Sequence, residues 1–155
     1  MTFDVRLFQK KDSAQLLDMM RALAEFEHYI DDFDMDAQTL ESWGLGRDPG
    51  FFIFVAVENS TLLAYAAAYT IPYTYDRKLT VVLKEMYANP EARGTGAAHA
   101  VMQAVIDHAR STGAARLHWL VLPDNQRAKS FYEKFGGQPD KSFEPWHITF
   151  SHKTL

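Results

Sequence analysis

Three features of the chain could do chemistry. They are a loop of small residues, Arg93-Gly94-Thr95-Gly96-Ala97-Ala98, and two acids in apolar surroundings, Glu27 and Glu85. The loop follows the apolar run 79–88, which reads as a strand. Asn89-Pro90 ends that run, since proline cannot donate to a ladder and the pair favours a turn. An amphipathic segment continues to about Arg110 and reads as a helix. A strand, a small-residue turn and a helix start together form an anion site. The first helical N–H groups lack partners, and the helix dipole favours negative charge beside them. Two nucleotide readings fit poorly. A P-loop needs Lys-Ser or Lys-Thr after its second glycine, and His99 stands where a dinucleotide fingerprint has its third glycine. The pattern R-x-x-G-x-A does fit, through Arg93, Gly96 and Ala98. A turn that only packs a helix onto a strand is the other reading.

Glu85 interrupts an otherwise apolar strand. Burial there raises its pKa, or a cationic partner holds it charged. Glu27 continues the buried stripe of the first predicted helix, four positions past Leu23. It either lines a pocket or reaches solvent where the helix ends. Glu25, Glu27, Asp31, Asp32, Asp34, Asp36 and Glu41 follow one another with no lysine or arginine among them. Such a cluster attracts cations, or it is a solvated loop whose Asp36 caps the next helix. There is no cysteine, which removes disulfides, thiolate catalysis and Cys-based metal sites. The six histidines show no metal-ligand spacing, so no metal is expected.

The elements that must position these groups follow from periodicity. Residues 3–7 alternate Phe3, Val5, Leu7 against Asp4, Arg6, a first strand with the apolar set inward. Asp12 is the expected N-cap of a helix with Leu16, Met20, Leu23 and Ala24 on one face. A short helix over 37–43 stops at Gly44. Strands are expected over 51–57, 62–75 and 79–88. Tyr65, Tyr69, Tyr73 and Tyr75 share odd positions on the second of these and so tend to share a face. A helix over about 94–111 points Val101, Ala104, Val105 and Ala109 inward. A strand over 116–122, a helix opened by Asn125 and ended at Gly136, and a last strand over about 146–151 complete the order. Consecutive strands with short turns pair antiparallel, and the later β–α–β connections add parallel pairs. The class is a mixed α/β fold with helices on both faces of the sheet.

Bulk properties narrow the function. A chain of 155 residues reads as one domain, 1–155, with a sizeable core. The net charge of -4 argues against a general nucleic-acid binder. No apolar run is long enough to span a membrane and no signal peptide opens the chain, so a cytoplasmic location is expected.

Asn125-Gln-Arg-Ala128-Lys-Ser-Phe131-Tyr132-Glu-Lys-Phe-Gly136 supplies a second motif, N-x-x-A-x-x-F-Y-x-x-x-G. Together with R-x-x-G-x-A it resembles the GNAT N-acetyltransferase superfamily. Ala22-Leu-Ala-Glu-Phe-Glu-His28, Tyr73-Thr-Tyr-Asp76, the glycine loop, Phe131-Tyr132 and Trp146 look like its diamine/spermidine and thialysine acetyltransferases. The resemblance implies a twisted mixed sheet of six to seven strands and acetyl transfer from acetyl-CoA to a primary amine, in a ternary complex and as a homodimer. It implies that the amides of Arg93, Gly94, Thr95, Gly96, Ala97 and Ala98 hold the pyrophosphate. By the same likeness, main-chain groups of Met86 and Ala88 pair with the pantetheine arm, and Asn125 also contacts coenzyme A. Tyr132 would protonate the leaving thiolate. Glu27, Glu85 and Trp146 would line the amine pocket, with Glu85 a candidate to take the amine proton. The chain departs from the polyamine enzymes at Lys84-Glu85, where they carry two adjacent acids. That departure weakens the case for a polycation. It also keeps open a second expectation, a module that binds acyl-CoA with little turnover.

Overall fold

The structure, a computed structural model, describes residues 2–150. It divides into two compact units, Met1–Leu120 and Val121–Leu155.

The first unit is built on a five-stranded sheet of β1 (Asp4–Leu7), β2 (Phe52–Glu58), β3 (Thr61–Pro72), β4 (Leu79–Ala88) and β5 (Arg116–His118). The strands lie side by side in chain order. The first four are antiparallel, and β5 runs parallel to β4. Helices α1 (Ser13–Phe26) and α2 (Ala37–Gly44) cover one face, and α3 (Ala97–Ser111) covers the other. The core under α1 and α2 joins Leu16, Met20, Leu23 and Leu40 to Ile53, Val55 and Tyr65. The opposite face carries Phe52 and Phe54, which meet His108 of α3 at ring separations of 4.2 and 6.1 Å. Thr80, Val81, Val82 and Leu83 of β4 are all buried. Alternation disappears there because helices cover both faces.

Several expectations need correction. The face of β1 is reversed. Val5 and Leu7 are 36% and 52% exposed, while Arg6 turns to Asp12. Periodicity says which residues share a face, but not which face is covered. Asp12 occupies the N-cap position of α1, yet its side chain caps nothing there. Its carboxylate accepts from Arg6 at 2.7 and 3.0 Å and from the Gln9 amide at 2.7 Å. Helix α3 begins at Ala97, not near Gly94, because Gly94 and Gly96 take φ of 79° and 90°. Met102 is buried on α3, a position the periodicity passed over. Strand β3 stops at Pro72 and β5 is cut to three residues; with no strand over 146–150, the described sheet has five strands instead of six or seven.

The second unit holds α4 (Gln126–Glu133). Asn125 caps it, its Oδ1 accepting from the Ala128 amide at 3.1 Å. Gly136 ends the turn that follows at φ 84°, where the Gly137 amide reaches the Tyr132 carbonyl at 3.1 Å. Phe131 packs against Tyr132 and Phe135 at 5.5 and 5.2 Å. The expected last strand is absent over residues 146–150, and Ser151 lies outside the described residues. Trp146, Ile148 and Phe150 alternate as a strand does, but such a pattern becomes a strand only where a neighbour takes its backbone groups.

Candidate active site

Helix α1 ends in a Schellman motif. The Tyr29 amide donates to the Ala24 carbonyl at 2.9 Å and the His28 amide to Glu25 at 3.3 Å, with His28 at φ 65°. A left-handed residue at this position closes the helix and redirects the chain. Glu27 and Tyr29, on either side of it, stay half-buried.

The sheet supplies the groups that face them. Tyr65 of β3 pairs with Tyr87 of β4, and Ala67 pairs with Glu85. Cross-strand partners and residues two apart share a face, so Tyr65, Tyr87 and Glu85 all face α1. Ala67 is small and leaves room opposite Glu85. Lys84 has no partner between the pairs Ala67–Glu85 and Ala68–Leu83. It is the extra residue of a β-bulge, a device that re-aims neighbouring side chains, and it is exposed. The bulge sets the Lys84 cation beside the acids.

Electrostatics tie these groups together. Burial pushes Glu27 up, and the Lys84 charge partly opposes it. Burial also pushes Glu85 up; Lys84 and Tyr65 oppose the rise and Glu27 adds to it. Tyr29 is pushed up to about 12, by burial first and then by Glu85 and Glu27. Tyr65 is raised by burial and then by Glu85. Two carboxyls whose pKa values are raised in one partly dry site are candidates to take a proton from a substrate.

Strand β4 carries this cluster directly into the small-residue loop. Asn89 anchors the junction: its amide donates to the Leu63 carbonyl and its Nδ2 to Leu62, both at 2.9 Å. The Asn89–Leu63 bond fixes the phase of the ladder. Bonded pairs then fall at Tyr87 and Glu85, so the main-chain groups of Met86 and Ala88 point to the other edge. Strand β5 covers that edge only opposite Thr80, Val81 and Val82. The edge beside Met86 and Ala88 has no strand partner among the described residues.

In the loop the Thr95 hydroxyl donates to Ala92 at 2.6 Å and accepts from the Ala97 amide at 3.3 Å. The amides of Gly94, Gly96 and Ala98 have no acceptor among the described residues. A Cβ built on Gly94 or Gly96 meets nothing within 4 Å. Two unobstructed positive-φ glycines and unpartnered amides fit a diphosphate. Gly96→Ala is expected to cost about 1 kcal/mol of stability through its left-handed backbone. It should also weaken binding of a ligand that carries a diphosphate about tenfold or more, as read by calorimetry, because the loop must relax from its cradle shape.

The first unit thus brings together Glu27, Glu85, Met86, Ala88 and the loop Arg93 to Ala98. Asn125, Tyr132 and Trp146 belong to the second unit. There Asn125 spends its Oδ1 on the helix cap, and Trp146 donates from Nε1 to Glu144 at 3.2 Å. The acidic stretch 25–41 separates into parts with different roles. Asp36 caps α2 by accepting from the Thr39 amide at 2.7 Å, and Glu41 accepts from Ser13 at 2.9 Å. Of that stretch, Glu27 joins the cluster around Glu85. Sequence reasoning missed Tyr29, Asn89 and the particular importance of Tyr65. The odd-position tyrosine stripe was the available signal for Tyr65.

A mixed sheet with a gap beside β4 and a glycine loop at its end defines an acyl-CoA-binding α/β fold. The chain belongs to the Acetyltransferase (GNAT) family, whose model matches residues 16–137. That family uses acetyl-CoA as co-substrate. The chain is 27% identical over 151 residues to thialysine N-epsilon-acetyltransferase of Sus scrofa, covering 92% of this chain and 88% of that protein. It is 24% identical over 152 residues to spermidine/spermine N(1)-acetyltransferase-like protein 1 of Homo sapiens, covering 94% of this chain and 22% of that protein. A crystal structure of a probable acetyltransferase shares the fold with a TM-score of 0.81 at 22% identity, covering 97% of this chain and 99% of that one. Among the described residues, no helix is long and apolar enough to cross a membrane.

Proposed function

We propose that the protein, working as one domain of residues 1–155, acetylates the primary amine of a small amino-acid-like or singly cationic substrate. One observation carries this reading. The acids Glu27 and Glu85 both feel the Lys84 charge, and the strand that bears Glu85 and Lys84 runs straight into the diphosphate cradle.

The substrate ammonium loses one proton through Glu85 to solvent. The free amine nitrogen then attacks the thioester carbonyl carbon. A C–N bond forms, the C–S bond breaks, and Tyr132 gives a proton to the departing thiolate. The second amine proton restores Tyr132, so the products are an amide, free coenzyme A and one released proton. In the Arg93 to Ala98 loop the amides of Gly94, Gly96 and Ala98 hold the diphosphate, while those of Arg93, Thr95 and Ala97 are bonded within the loop and shape it; the groups of Met86 and Ala88 that point away from β3 take the pantetheine arm, and Asn125 supports it through its Nδ2. Glu27 and Trp146 contact the amine substrate. Lys84 repels a second positive charge and attracts a carboxylate, so lysine or thialysine is favoured over a polyamine. The likeness to the thialysine enzymes supports this choice. A homodimer in the cytoplasm belongs to the same proposal.

Thiol release from acetyl-CoA, followed over thialysine, lysine, cadaverine, spermidine, aminoglycosides and short peptides, tests the reading. Lysine or thialysine should turn over faster than cadaverine, which lacks the carboxylate. Tyr132→Phe should lower kcat by about 10²–10³-fold with coenzyme A binding unchanged. Tight acetyl-CoA binding with no turnover on any amine would favour a weakly catalytic acyl-CoA-binding module instead.

A further inference from the structure

Tyr65 is the largest fully buried side chain of the first unit, at 0% exposure, and its hydroxyl has no acceptor at full hydrogen-bond geometry among the described residues. A buried phenol without a partner is costly, and a phenylalanine would fill the same space without that cost. The neighbourhood suggests why a hydroxyl stands there. In the ladder Tyr65 faces α1 diagonally across from Glu85, with small Ala67 between. Glu85 is close enough for contact with Tyr65 to favour its ionised form. The other charged or titratable groups acting on these two are Glu27 at the end of α1, Tyr29 just beyond it, and Lys84 on the bulge.

We propose that Tyr65 is a positioning residue for Glu85, its hydroxyl donating to the carboxylate and holding it toward the amine side of the pocket. The inference rests on the acetyl-transfer reading for its purpose, but the link between the two side chains can be tested without turnover. Tyr65 keeps its own proton throughout. The phenol is well placed for this, because burial beside two acids disfavours its anion. Glu27 and Lys84 act on Glu85 by charge. Tyr65 adds direction, since a hydrogen bond fixes where the accepting oxygen points.

The test compares the full-length wild type with Tyr65→Phe after labelling glutamate with ¹³C at the carboxyl carbon. The Glu85 signal is assigned by its loss in Glu85→Gln. Removal of the donor should move the Glu85 titration midpoint to higher pH, on the order of one pH unit. The acid limb of kcat/KM on the best amine should move the same way, with about a tenfold loss on its lower side. Phenylalanine keeps the buried ring, so an intact thermal transition shows that the fold is kept. An unmoved Glu85 titration overturns the proposal, whatever happens to rate or stability. If the titration moves but no amine is ever acetylated, the positioning link stands and the acetyl-transfer reading is what has failed.

Discussion

Glu85→Gln is expected to lower kcat by about 10²–10⁴-fold while raising the thermal midpoint at pH 7. Both effects come from one cause. Burial disfavours the Glu85 carboxylate, and Glu27 disfavours it further. A group with a raised folded-state pKa contributes stability in its protonated form. That contribution is complete below the unfolded pKa and is lost as pH rises through the folded pKa. Once the pH has risen through the folded pKa, the wild type carries the cost of a charged, partly buried acid, and glutamine does not. Unfolding scans at pH 4 and pH 7 check this, since the gain from glutamine should shrink toward pH 4. A lower midpoint at pH 7 would mean that Lys84 holds the carboxylate charged, and Glu85 could not then act as a proton acceptor of raised basicity. The rate loss has its own readout. Acetyl-CoA affinity should be unchanged, because the diphosphate cradle begins only at the end of β4.

Arg6→Ala should destabilise the fold by about 3 kcal/mol, a large share of the 5–15 kcal/mol that small domains have in total. Arg6 on β1 forms two short bonds to Asp12, whose side chain is nearly inaccessible. Burial alone pushes the Asp12 pKa up. The Arg6 guanidinium and the Gln9 amide more than offset it and hold the acid below its usual range. Without Arg6 a buried charge keeps the Gln9 amide and the smaller effect of the Lys11 charge. The sign here is opposite to that of Glu85. Stability from Asp12 is present above its unfolded pKa and is lost as pH falls through the depressed folded value. Denaturant titrations at pH 7 and pH 3 should therefore show the Arg6→Ala penalty shrinking in acid. Arg6→Ala combined with Asp12→Ala should recover part of it, because the unpaired charge is then gone. The pair also clamps the start of α1 to the sheet, and α1 carries Glu27 at its other end.

The two expectations explain how legible each part was. Glu85 stood out because an acid in an apolar strand contradicts its surroundings, and such contradictions mark functional positions. Asp12 looked like a helix cap because Asp at that position usually is one. Its true partner is six residues back, on a strand whose inward face periodicity assigned the wrong way. The bounds of β4, Leu79–Ala88, were readable to the residue because an apolar run meets Asn89-Pro90. The bulge inside β4 was not readable. Simple alternation placed Lys84 with Met86 and Ala88, whereas the ladder leaves Lys84 unpaired.

By itself the sequence determined the order of elements in the first unit, the glycine loop and its anion chemistry, the absence of thiol chemistry, and two acids out of place. These are local facts. Periodicity, turn chemistry and backbone freedom act within a few residues, so a linear reading recovers them. The tertiary structure alone decided which face of β1 is covered, that Glu27 leaves the acidic stretch to join Glu85, and that Tyr65 lies buried beside that acid. It also decided that the edge at Met86 and Ala88 has no strand partner among the described residues. Each of these depends on the register between strands or on the angle at which a helix ends. Such choices are settled by which packing buries the most apolar surface while pairing the backbone, a sum over the whole unit that no short stretch contains.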